Sequence, residues 1–122
     1  MTLNLHAITF DCSNALELGR FWSAALGRPL DNDDNSPNEF FASIGRSNPS
    51  ADQITLMFIQ VPEGKVAKNR VHLDLEASDR DTEVARLVSL GASIIHDKDE
   101  WGVRWTTMAD PEGNEFCLAM HG

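Results

Sequence analysis

The stretch "VHLDLEA" (71–77) decides the fold. It alternates without a break: Val71, Leu73 and Leu75 on one side, His72, Asp74 and Glu76 on the other. A period of two is the mark of a strand with one face in a core and one face open. Downstream, Ser78 or Asp79 can cap a helix that runs to Leu90, with Val84, Leu87 and Val88 as its apolar stripe and Gly91 as its stop. "ASIIHD" (92–97) and "GVRWTTMA" (102–109) read as strands. "DPEG" (110–113) has turn composition, and "NEFCLAM" (114–120) follows as a final strand.

Upstream, the same order appears. "LHAITFDC" (5–12) reads as a strand, and Asn14 with Glu17 has the spacing of a capping box. Leu18, Phe21, Trp22, Ala25 and Leu26 form a helical stripe closed by Gly27 and Pro29. A short segment around Pro29–Leu30, a loop at 31–38, strands at 39–45 and 53–61, and a loop at 46–52 complete this half. A shift of 66 residues lays His6 on His72, Glu17 on Glu83, Arg20 on Arg86 and Ser23 on Ser89. Shared element order plus these identities indicates an internal repeat. The expected fold is therefore α+β, a single domain over 1–122 built from two βαβββ modules. Module 1 covers about 3–61, a linker 62–70, and module 2 about 71–121. The modules are expected to form a curved, cup-like mixed sheet with the helices outside and a ligand cleft shared between them.

Composition narrows the function. The chain has 122 residues, 42% hydrophobic, which supports one folded core. With Lys+Arg 10 against Asp+Glu 19, the net charge of −9 disfavours nucleic acid and anionic membranes as partners. Lys65, Lys68 and Arg70 are too small a basic cluster to reverse that, though they can steer an anionic ligand. No apolar run approaches the roughly 20 residues of a membrane span. The start has neither the basic region nor the apolar stretch of a signal peptide, so a cytoplasmic location is expected. Cys12 and Cys117 are expected to be reduced, and Cys12 inert.

Strand alternation also selects site candidates. If Val71, Leu73 and Leu75 pack under the helix, His72, Asp74 and Glu76 face the cleft. By the same parity Glu115 and Cys117 face it when Phe116, Leu118 and Met120 pack inward. His6 takes the place of His72 in the first module. Glu115 and Cys117 are the candidate catalytic residues, the thiol as a nucleophile if a base such as His72 activates it. Asp74 is a candidate for ligand binding or general base, and Trp101 and Trp105 are candidate aromatic walls. His96 and His121 read as surface residues.

The two βαβββ halves, the His opening each half, "FWSAALGRPL" (21–30) and the closing "DPEGNEFC" (110–117) resemble the vicinal oxygen chelate superfamily. Glyoxalase I, fosfomycin-resistance proteins, extradiol dioxygenases and bleomycin-binding proteins belong to it. The similarity is nearest to its small glyoxalase-like domain proteins. The resemblance implies a divalent ion, Zn, Ni, Mn or Fe, held at His6 and His72, and a homodimer. It also implies a carboxylate ligand seven residues after the Asp of the turn, where this chain has Cys117. The strand at 53–61 has no carboxylate or histidine at its matching position near Thr55–Met57. These departures point away from a true glyoxalase I. Three readings stay open: a metal-dependent lyase or dioxygenase, a dimer that sequesters a small molecule without metal, or a regulatory dimer without a ligand.

Overall fold

A computed structural model describes residues 2–32, 36–50 and 52–120, with Val103 described by its backbone alone. Parts of the loops expected at 31–38 and 46–52, and His121, lie outside the described residues. The chain divides into two compact units, Met1–Gly64 and Lys65–Gly122.

The first unit carries β1 (Ala7–Cys12), α1 (Ala15–Leu26), β2 (Phe41–Ile44) and β3 (Thr55–Gln60). The strand order is β1-β3-β2, with β1 parallel and β2 antiparallel to β3. Asn14 caps α1 by accepting the Glu17 N–H at 3.0 Å. Gly27 ends the helix in the left-handed region, φ 65°. Leu18, Phe21 and Trp22 bury the helix stripe against Ile44, Leu56 and Phe58 of the sheet. Gly19 permits the close approach, since a Cβ there would lie 3.1 Å from both the Ala42 Cβ and Leu30 Cδ2. Among the described residues this unit has three strands, not the four the repeat predicts. No strand forms around Pro29–Leu30. Pro29 has no N–H to give a ladder. The chain is held there by Asp31 instead: its N–H reaches Ser43 O, and its carboxylate accepts from Ser43 Oγ and the Arg46 N–H.

The second unit carries β4 (Leu73–Ala77), α2 (Arg80–Leu90), β5 (Ser93–Glu100), β6 (Val103–Ala109) and β7 (Glu115–Met120). Its sheet order is β4-β7-β6-β5, with β4 parallel to β7 and the remaining pairs antiparallel. Asp79 caps α2, and Gly91 closes it at φ 119°. Phe116, Leu118 and Met108 are buried, whereas of the expected α2 stripe only Leu87 is. Val88 is 43% exposed. The helix is mostly polar and adds a charge instead: Arg80 is buried and donates to Asp97 Oδ1 and Asp81 Oδ1, each at 2.9 Å, and to Thr106 Oγ1. All side-chain oxygens and nitrogens buried among the described residues have partners, as interiors require.

Two turns set the site. Asp110 is buried, and its Oδ1 accepts the N–H groups of Glu112 and Asn114, each at 2.9 Å. Gly113 completes the turn at φ 89°. Between β5 and β6, Trp101 and Gly102 both take positive φ, 56° and 75°. That is the two-residue hairpin whose twist matches the strands it joins. Along β5 the register slips between Ile94 and His96. Ile94 faces Met108 and His96 faces Thr107, so one extra residue is accommodated as a bulge.

Candidate functional site

The open face of the second unit's sheet is built by register. Asp74 pairs with Cys117, Cys117 with Thr107, and Thr107 with His96. Four strands thus set these side chains in one row, because partners across a pleated ladder share a face. The next row places Ala119 beside Trp105. His72 sits one residue ahead of β4, two before Asp74, and its Nε2 lies 3.4 Å from Asp74 Oδ1. The Cys117 Sγ lies 3.4 Å from Thr107 Oγ1. A pocket of about 480 Å³ covers this face, lined among others by Lys68, His72, His96, Trp105 and Cys117.

Within it, one ligand atom each from His72, Asp74 and Cys117 lies within 4.8 Å of the others. A tetrahedral ion with bonds of 2.0–2.3 Å needs donors roughly 3.3–3.6 Å apart. The His72–Asp74 distance already falls in that range, and the cluster that includes Cys117 spans 4.8 Å. An imidazole, a carboxylate and a thiolate suit zinc, which accepts nitrogen, oxygen and sulfur donors. The residues present therefore fit a divalent ion.

Glu115 shares the face of Cys117 and also lines the pocket. Its carboxylate accepts the Asn69 N–H at 3.0 Å and Lys65 Nζ at 3.2 Å. Asn69 answers by accepting the Glu115 N–H at 3.0 Å. This reciprocal clamp ties the segment 65–69 to β7. Burial pushes the Glu115 carboxyl up, but the Asn69 N–H, its own N–H and Lys65 together outweigh burial and hold it below its ordinary value. Lys68 is carried by the clamped segment to the pocket and has no hydrogen bond or ion pair among the described residues.

Trp105 forms part of the pocket wall. Trp101 stacks on it, ring centroids 6.2 Å apart and planes 14° from parallel, while remaining 87% exposed. His6 stands exposed in the first unit, immediately ahead of β1. The donor cluster lies wholly in the second unit.

The sequence reading placed His96 at the surface, where it is exposed, but did not foresee its place beside the pocket, and it passed over Thr107. Alternation counted from Ile94 sends His96 to the helix side, and the bulge reverses it. The signal that finds both is the Trp101-Gly102 hairpin, whose pairing brings His96 opposite Thr107. The strand expected at 92–97 runs on to Glu100.

A family model described as a glyoxalase-like domain matches residues 7–119. The chain belongs to the glyoxalase-like domain family. Solved structures agree on the fold of this glyoxalase-like chain. A glyoxalase/bleomycin resistance protein/dioxygenase family enzyme from Burkholderia phytofirmans is similar with TM-score 0.75 and 14% identity, over 97% of this chain and 98% of that one. A superfamily member from Sphaerobacter thermophilus gives TM-score 0.68 and 22% identity, over 99% of both chains. The fosfomycin resistance protein FosX from Mesorhizobium loti gives 0.70 and 14%, over 100% and 95%. No curated protein sequence matches significantly. The described residues form an α+β architecture, two helices and seven strands in two mixed sheets, that matches these neighbours.

Proposed function

We propose that this glyoxalase-like protein binds a small molecule on the open face of the second unit's sheet, beside a divalent ion held by His72, Asp74 and Cys117. The observation that carries the reading is the convergence of three donor atoms of different chemistry within 4.8 Å, in a pocket of about 480 Å³. A bound ion would supply a Lewis-acidic charge for an oxygen of the ligand. The protein's own groups shape the rest: Trp105 and Lys68 line the pocket, Thr107 bonds the thiol, and Glu115 clamps Asn69, next to Lys68. Cys117, at the place where the family resemblance expects Glu, favours binding or an unusual chemistry over that of glyoxalase I; a metal-dependent lyase or dioxygenase is the alternative. Cys12 and Cys117 are both free thiols, which supports a reducing, cytoplasmic setting. The homodimer expected from the family is part of the same proposal. No helix among the described residues is long and apolar enough to cross a membrane.

The test is zinc binding by isothermal titration to chelator-treated protein without a histidine tag. One ion per chain is expected, with affinity rising with pH because a metal competes with protons for imidazole and thiol donors. Cys117→Ser and His72→Ala should each weaken binding at least about tenfold. Unchanged affinity in both variants would remove the ion from the reading and leave a metal-free binding pocket.

A further inference from the structure

The pocket carries information about its ligand beyond the metal. Its wall is an indole, and that indole is held from outside. Trp101 lies beyond Trp105 along the hairpin, stacked on it at 6.2 Å, yet is not part of the pocket lining. Trp101 is held in the left-handed region, φ 56°, which a bulky side chain rarely takes. A lining indole, Trp105, is thus stacked against a second indole, Trp101, that does not line the pocket. The charges near it are unequal in their freedom. Glu115 is engaged by Lys65 and Asn69, and Asp74 lies 3.4 Å from the His72 ring. Lys68 lines the same pocket with no partner among the described residues, on a segment fixed by the Asn69–Glu115 clamp. A flat aromatic wall selects a flat π-system, and an unpaired ammonium at a fixed place selects an anion.

We infer that the pocket takes a planar aromatic carboxylate, its ring stacked on Trp105 and its carboxylate paired with Lys68. The inference rests on the reading that this face binds a small molecule, and not on the presence of the ion. Trp101 is a positioning residue, acting through Trp105.

The probes are 1-naphthoate, 1-naphthamide and cyclohexanecarboxylate, titrated calorimetrically into chelator-treated and zinc-loaded protein. Naphthoate is expected to bind about tenfold more tightly than the alicyclic acid, the ratio a stacking contact supplies. It should bind about threefold more tightly than the amide, as a part-exposed ion pair supplies. Lys68→Ala, at an exposed position, should bring the acid-to-amide ratio close to one while keeping the preference for the aromatic ring. Trp101→Ala should shrink the aromatic preference and leave the acid-to-amide ratio intact, which a general loss of folding would not do. Equal affinity for the aromatic and alicyclic acids, a ratio unmoved by Lys68→Ala, or no binding of naphthoate in either form of the protein would each overturn the inference. Loss of zinc binding with these preferences preserved would overturn the metal reading and leave this one standing.

Discussion

Replacing Glu115 by Gln separates two roles for the same carboxylate. As a clamp, Glu115 accepts from the Asn69 N–H and from Lys65 Nζ, with its side chain 15% exposed and that of Lys65 29%. A hydrogen bond to a charged group contributes about 1.5–3 kcal/mol and a neutral one about 0.5–1.5 kcal/mol, so the substitution costs about 1 kcal/mol at Asn69. The part-exposed ion pair adds about 0.5 kcal/mol. The sum, about 1.5 kcal/mol, should lower the urea midpoint by roughly 1 M, for a slope near 1.5 kcal/mol/M at this size. The pH dependence has a definite sign. The folded-state carboxyl lies below its ordinary value of 4.5. A depressed acid contributes stability that is present above the unfolded pKa and lost as pH falls through the folded one. The gap between Glu115→Gln and wild type should be full above about pH 5 and close steadily as pH falls below 4.5. Urea titrations at a series of pH values measure it, and exchange of the Asn69 amide should quicken in the variant. Coincident midpoints at neutral pH, or a gap independent of pH, would refute the clamp. A carboxylate serving chemistry alone would give that coincidence.

Two further outcomes follow from the same unit. Trp101→Asn places Asn-Gly, the preferred pair for this hairpin, at the two positive-φ positions. Relief of about 1–2 kcal/mol of backbone strain against about 0.5–1.5 kcal/mol of lost stacking should raise the urea midpoint slightly, by about 0.5 kcal/mol in stability. Arg80→Met removes a buried guanidinium from Asp97, Asp81 and Thr106. Because the Asp97 side chain is 55% exposed and regains water, the cost should be about 2 kcal/mol rather than that of a fully buried broken pair. A fall of about 8 °C in the thermal midpoint would register it.

Much of this architecture was legible because it obeys short-range rules. The caps Asn14 and Asp79 and the stops Gly27 and Gly91 act where the sequence places them. The alternation of 71–77 and 114–120 correctly put Asp74, Glu115 and Cys117 on one face. What alternation cannot convey is pairing between distant strands. The His96–Thr107–Cys117–Asp74 row depends on the register of four strands: β5, β6 and β7 follow one another in sequence, whereas β4 reaches β7 only across the helix and the two intervening strands. The missing strand near Pro29 was a failure of the repeat as a guide, since similar order does not oblige equal hydrogen bonding. The role of Asn69 had no local signal at all, being defined by a partner 46 residues away. The second helix misled in another way: its stripe is thin, and a buried arginine holds part of the place an apolar side chain would take.

The bulge at Ile95 has a consequence for how this protein could vary. Because the extra residue has no opposite number on β6, removing it would leave Ile94 against Met108 and His96 against Thr107. Every side chain beyond it would keep its face. What would change is the bend and local twist that a bulge imposes. The hairpin bearing Trp101 and Trp105 would straighten relative to the rest of the sheet. A single codon therefore governs the curvature of one pocket wall separately from the chemistry displayed on it. Width and composition become independent variables, available to a lineage that must fit larger or smaller ligands without rewriting its donors.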